Sequence, residues 1–392
     1  MTSQAFLCLV LHNHQPIGNF DGVFEQAFQD SYLPFLDVFE SYDPLQISLH
    51  TSGPLMLWLA ERHPEYVDRL RMLVELGRIE IIGGPQYEPI LTMLPRRDRI
   101  GQIQAYSAWL QRNLGAAPKG MWTPERVWES ALTGDVVDAG IQYTVLDDFH
   151  FRAAGLREDQ LHGYFLTEDD GRVLRVFPGS ERLRYTIPFR PAAETIEYCR
   201  EVAQRWPGAL LTFGDDGEKF GTWPDTKVHV YEKGWLRSLF EGLTENASWL
   251  HTVSLGEAIR RTGPAGKVYL PDCSYREMTE WSLPVKAQVK LDELTGKVSR
   301  QVHVLGTEQT LAAVTKQVDV AGLGAAVSAQ VKEETAESTR GAVHAALDVA
   351  GLSEAVAGSV SEQAAGETLS AVRASLDVPA IAAAVTQEAQ DD

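Results

Sequence analysis

Over the first 284 residues, short apolar runs alternate with stretches whose apolar residues recur every three or four positions. This is the pattern of strands alternating with helices around a parallel sheet. The runs predict strands at Phe6–Leu11, Gln46–Leu49, Ile79–Ile82, Gly120–Trp122, Tyr143–Leu146, Leu174–Phe177, Leu210–Phe213 and Val268–Leu270. The helical spacing predicts helices between them, among them Pro64–Leu76, Arg97–Leu114 and Ala192–Trp206. Seven or eight such units suit a barrel, whose chemistry sits on loops leaving the C-terminal strand ends. Polar residues gather at those ends: His12–Pro16, Gly83–Pro89, Thr123–Glu129, Asp147–Phe151 and Gly214–Trp223.

The pattern changes at Pro284. The last aromatic residue is Trp281, and the Ala-rich remainder holds no Phe, Tyr, Trp, Met, Cys or Asn. Cut at 29-residue intervals from Val289, Val318, Leu347 and Leu376, this tail aligns Leu294, Leu323, Leu352 and Ile381, and also Val298, Val327, Val356 and Val385. Apolar residues at four-residue steps form one helical stripe, with Asp319, Asp348 and Asp377 standing where N-caps would. Two segments are therefore expected: a barrel over 1–284, and a helix-biased or partly disordered repeat over 285–392 that offers a surface for self-association.

A net charge of −19 with no Lys/Arg run argues against nucleic-acid and anionic-membrane partners. Cys8, Cys199 and Cys273 are odd in number and lack metal spacing, which fits reduced thiols and a cytoplasmic protein. The apolar start, Ala5–Leu11, is too short to span a bilayer and lacks a signal peptide's preceding positive charge.

Two loops concentrate the candidate chemistry. Glu125, in Trp122-Thr123-Pro124-Glu125-Arg126, is expected to be held ionised by Arg126 and a helix N-terminus, as a nucleophile requires. Asp215 and Asp216 are adjacent in Gly214-Asp215-Asp216-Gly217-Glu218-Lys219. Neighbouring like charges raise one carboxyl's pKa and keep a proton available near neutrality. One ionised and one protonated carboxyl about 5–5.5 Å apart equip a site for retaining glycoside chemistry. Aromatic residues crowd the same loops, including Trp122, Trp128, Tyr87, Phe149, Phe151 and Trp223. Their planes suit the C–H faces of sugars, with Trp128 also readable as core. His12 and His14 lie on one strand face as sugar contacts or, given a third ligand, as a metal pair.

Around these loops the sequence resembles glycoside hydrolase family 57, most closely its 4-α-glucanotransferase and α-amylase group. The resemblance is carried by His12-Asn13-His14-Gln15-Pro16, Gly77-Arg78-Ile79-Glu80-Ile81, Trp122-Thr123-Pro124-Glu125-Arg126-Val127-Trp128, Asp216-Gly217-Glu218-Lys219-Phe220-Gly221 and Ser274-Tyr275-Arg276-Glu277-Met278-Thr279-Glu280-Trp281. It implies an incomplete (β/α)7 barrel, an α-1,4-glucan substrate and a double displacement without metal or organic cofactor. By motif position it makes Glu125 the nucleophile and Asp216 the acid/base. His12, His14, Glu80, Trp122 and Trp223 then match a donor-sugar pocket, with Asp148 and Glu218 as further site candidates. Transfer to a sugar hydroxyl is favoured. An amylase-type hydrolase, a noncatalytic glucan-binding or assembly protein, and a metal-dependent deacetylase or mannosidase resting on His12 and His14 stand as alternatives.

Overall fold

In the computed structural model, residues 3–290, 292 and 293 are described. The chain divides into a unit over Met1–Thr279 and a second from Glu280 onward. The tail repeat and its self-association fall outside the described residues, apart from the first few positions. The strands are β1 (Ala5–Asn13), β2 (Ile47–Thr51), β3 (Ile79–Ile81), β4 (Gly120–Trp122), β5 (Tyr143–Asp147), β6 (Phe165–Asp169), β7 (Arg172–Gly179), β8 (Ala209–Asp216), β9 (Leu250–Thr252) and β10 (Gly266–Lys267).

Parallel pairing runs from β1 to β2 to β3, and a bridge between Gly83 and Met121 carries it to β4. It continues through β5 and β7 to β8, which pairs back along β1. The result is a mixed α/β, TIM-like barrel dominated by parallel strands. Strands covered on both faces must be apolar throughout, and all but one residue of β1 is buried. Inside the ring Cys8, Val10, Trp122, Val145 and Phe177 pack together, while a larger apolar layer lies between the sheet and the outer helices.

The predicted helices form at Pro64–Glu75, Arg96–Leu114 and Ala192–Arg205. The second ends at Gly115, whose φ of 68° supplies the left-handed stop that a side chain resists. Two strands escape the sequence reading. β6 forms an antiparallel hairpin with β7 across Asp170-Gly171, both at positive φ, a turn signal legible in the residues themselves. β9 is only three residues long and pairs parallel with the start of β1. The expected strand at Val268–Leu270 is displaced to Gly266–Lys267, where the backbone finds an edge of β6 to pair with. No helix among the described residues is long and apolar enough to cross a membrane.

Candidate active site

Strand register brings the polar ends together. On β1, His12 sits beside His50 of β2 on one side and beside Asp216 of β8 on the other. The His12 ring stacks on Trp122, 4.6 Å between centroids and 9° from parallel, and the His14 ring stacks 5.6 Å from His12. His12 Nδ1 faces His50 Nδ1 at 2.8 Å, so one proton serves both atoms. Burial holds both imidazoles neutral, driving His12 down, with His50 adding to the effect, and His50 to about 3.

Glu88 enters this cluster from the loop after β3 at a φ of 51°. Its carboxylate lies 2.5 Å from His14 Nδ1, 3.4 Å from His50 Nδ1 and 3.7 Å from His12 Nε2. Burial pushes Glu88 upward, and against the opposing pull of burial its hydrogen bond and charge raise His14. His12, His14 and Glu88 offer one donor atom each within 4.8 Å of one another, the set among the described residues that could hold a metal ion. The sequence reading lacked this third group. Its signal was a carboxylate before Pro89 in a strand-end loop.

Glu125 follows β4 in a three-residue turn, Pro124–Arg126, and takes a left-handed φ of 50°. Such a conformation costs about 1–3 kcal/mol in a residue with a side chain. The turn is pinned by Ser274 Oγ donating to Glu125 O at 2.5 Å and by His150 Nε2 lying 2.8 Å from Arg126 O. Tyr275 donates its hydroxyl to Glu125 Oε2 at 2.9 Å. Arg126 does not serve Glu125 as expected. It is buried, donating to Gly214 O at 3.0 Å and Asp215 Oδ1 at 3.4 Å while its guanidinium lies over Trp122. A single 3₁₀ turn supplies no helix N-terminus.

Asp216 ends β8 and starts the Gly217–Phe220 turn. Burial and the neighbouring Asp215 push its carboxyl up to about 6; Arg126 and Lys219 oppose this, and the Glu125 charge adds to it. Asp215 forms an ion pair with Lys219 Nζ, which also donates to Arg184 O at 2.8 Å. Glu218 accepts from His14 N at 2.8 Å and from the Tyr32 hydroxyl, and burial with the Asp216 charge pushes it to about 8.

Thus Glu125, Asp216, Glu218, His12, His14 and Trp122 share one end of the barrel, joined by Glu88, His50 and Tyr275. Of the remaining expected site residues, Glu80 and Asp148 bond to groups outside this set, while Trp223 gives its backbone N–H to Glu218 O at 3.4 Å and has its ring centroid 5.1 Å from Lys219 Nζ. Glu80 accepts from Ser48 Oγ at 2.7 Å, Gly256 N at 3.2 Å and the Tyr143 hydroxyl, tying strands to the helix Leu255–Arg261. Asp148 accepts from Arg152 at 2.8 Å and Glu181 N at 2.9 Å. Trp223, 39% exposed, lies beside Phe189 with ring centroids 6.0 Å apart. Trp128 is core, with 1% of its surface exposed.

A TIM-like ring with buried carboxyls and stacked aromatics at its C-terminal strand ends is the architecture of a barrel enzyme class whose chemistry is set by its loops. The particular family is glycosyl hydrolase family 57, to which the chain belongs: residues 8–271 match it. Alpha-amylase 1 of Dictyoglomus thermophilum is 44% identical over 301 residues, covering 77% of this chain and 44% of the relative. The 4-alpha-glucanotransferase of Thermococcus litoralis is 46% identical over 281 residues, covering 72% of this chain and 42% of its own length. The crystal structure of the Thermococcus litoralis 4-alpha-glucanotransferase superposes with a TM-score of 0.74 at 43% identity, over 76% of this chain and 46% of that one. The chain thus spans less than half the length of these relatives.

Proposed function

We propose that this chain is an α-1,4-glucan-active enzyme that works by retaining double displacement and favours transfer to a sugar acceptor. We read its parallel ring as the incomplete (β/α)7 barrel of the family. The observation that carries the functional reading is that Glu125 after β4 and Asp216 at the end of β8 lie near enough for the Glu125 charge to raise Asp216, which burial and Asp215 shift to about 6. A carboxyl poised there holds a proton for a leaving group and takes one back within the same pH range.

In the first step a Glu125 oxygen bonds to the anomeric carbon as the glycosidic bond breaks, and Asp216 gives its proton to the departing oxygen. In the second, Asp216 takes the proton of an acceptor hydroxyl whose oxygen displaces Glu125. A sugar acceptor gives transfer, and water gives the amylase outcome from the same intermediate. His12 and His14, stacked beside Trp122, form a wall of rings suited to a sugar's apolar face and hydroxyls. Trp223 with Phe189 offers a second apolar platform at the rim.

Incubation with maltotriose or longer oligomers, followed by chromatography of the products, tests the reading. Chains longer than the substrate indicate transfer, and only shorter ones hydrolysis. Glu125→Ala is expected to abolish turnover, and Asp216→Asn to lower it by roughly 10²- to 10⁴-fold. No product from the unmutated chain with any α-glucan overturns the reading.

A further inference from the structure

The Ser274-Tyr275 segment helps to carry the family resemblance, and neither residue exchanges a proton or bonds to sugar in the two steps of the double displacement. It meets Glu125 twice: Ser274 holds the main-chain carbonyl and Tyr275 holds one carboxylate oxygen. Consecutive residues of one loop thereby fix both ends of a residue that sits in a left-handed conformation. The Tyr275 ring is steadied in turn by two cations, with the guanidinium of Arg126 at 5.3 Å and that of Arg184 at 5.4 Å from its centroid. Arg184 is anchored to Glu277, two residues further along the same segment, at 2.9 and 3.1 Å.

We infer that Tyr275 is a positioning residue for the reaction, its hydroxyl holding Glu125 Oε2 so that Oε1 attacks and so that the carboxylate is stabilised when it leaves. This rests on the assignment of Glu125 as nucleophile. In the first step, electron density moves from Oε1 to the anomeric carbon, and Oε2 becomes the carbonyl oxygen of a glycosyl ester. A carbonyl accepts more weakly than a carboxylate, so the Tyr275 bond slackens in the intermediate. In the second step the ester C–O bond breaks, the electron pair returns to the carboxylate, and the Tyr275 bond strengthens as charge develops. Tyr275 keeps its proton throughout, since burial and the Glu125 charge raise its phenol above the usual range. A donor that tightens on the way out of the intermediate accelerates the second step more than the first.

The test compares the full chain with its Tyr275→Phe and Ser274→Ala variants on a maltooligosaccharide donor, reading kcat, KM and the mass of quenched enzyme. Tyr275→Phe is expected to lower kcat by about 10- to 100-fold, the worth of one hydrogen bond to a charged group. KM falls with it, kcat/KM changes less, and a glycosyl adduct accumulates on the protein. Ser274→Ala, which leaves the carboxylate's donor in place, is expected to lower kcat and kcat/KM together with no adduct. Equal loss of kcat and kcat/KM in Tyr275→Phe without an adduct, at an unchanged melting temperature, overturns the inference alone. If Tyr275→Phe melts early, Tyr275→His, which keeps a ring N–H donor, decides: recovery of kcat supports the inference, and no recovery overturns it. An unmutated chain inert toward every α-glucan overturns the functional reading, and this inference with it.

Discussion

Asp216 shows how one residue's chemistry is made by its neighbours. Its intrinsic acidity is that of any aspartate; burial and the adjacent Asp215 charge bring it to about 6. For the proposed first step it must carry its proton. The expected result is that kcat/KM falls about tenfold per pH unit above an alkaline limb near 6. Asp215→Asn removes the raising charge and releases Arg126 and Lys219 to act on Asp216 unopposed, so the limb moves to lower pH. A pH–rate profile of both proteins checks this, and a limb that stays in place or rises counts against it. At this scale the motif residues Glu125, Asp216, His12 and His14 were legible, because chemistry-bearing types stood at predicted strand ends. Glu88 and His50 were not, since a glutamate before proline and a histidine ending a β-run look ordinary until the register sets them against His12.

At the scale of elements, Arg78 shows how a motif residue can serve the frame. The helix Leu33–Phe39 ends with carbonyls that lack partners within the helix. Arg78, directly before β3, donates to Phe39 O at 2.7 Å, Tyr42 O at 2.8 Å and Glu40 O at 3.2 Å, with its guanidinium over the Phe39 ring. Arg78→Met keeps the stem and removes the donors. It is expected to destabilise the protein by about 2–3 kcal/mol, read as a lower urea midpoint at unchanged slope, while the kinetics of the folded fraction stay as they were. Glu80, two residues on, likewise ties strands to a helix. The long amphipathic helices were readable because the periodicity of their apolar residues is local. β9 was missed and β10 was displaced from its expected position, because pairing with β1 and β6, rather than a local run of apolar residues, makes Leu250–Thr252 and Gly266–Lys267 strands.

The whole molecule carries a stability cost for its buried acids. Glu218 and Asp148 are both pushed up to about 8, in each case mainly by burial. Each therefore binds its proton in the native state at a pH where the unfolded chain has released it. A group that binds more protons when folded loses its stabilising contribution as pH rises toward its folded value. The buried histidines act oppositely, but only below their ordinary value of 6.5. Between about pH 6.5 and 8 the carboxyls dominate, and the melting temperature is expected to fall. Glu218→Gln retains an oxygen acceptor for His14 N and Tyr32 and removes the charge, so it is expected to flatten that fall and melt a few degrees higher at pH 8.5. Thermal melts across that window decide the matter, with parallel curves for the two proteins counting against it.

What the sequence determined by itself was whatever depends on neighbours along the chain: alternating strands and helices, the polar strand ends, the adjacent acids of the Asp215-Asp216 loop, and the change of composition at Pro284. What the tertiary structure decided was whatever depends on which strand lies beside which. Register set His12 between His50 and Asp216. Close packing set Arg126 on Asp215 and brought Tyr275, 150 positions distant, onto the Glu125 carboxylate. Hydrogen bonds need donor and acceptor about 3 Å apart, and contacts that close between residues so far apart in the chain follow from the fold rather than from local pattern.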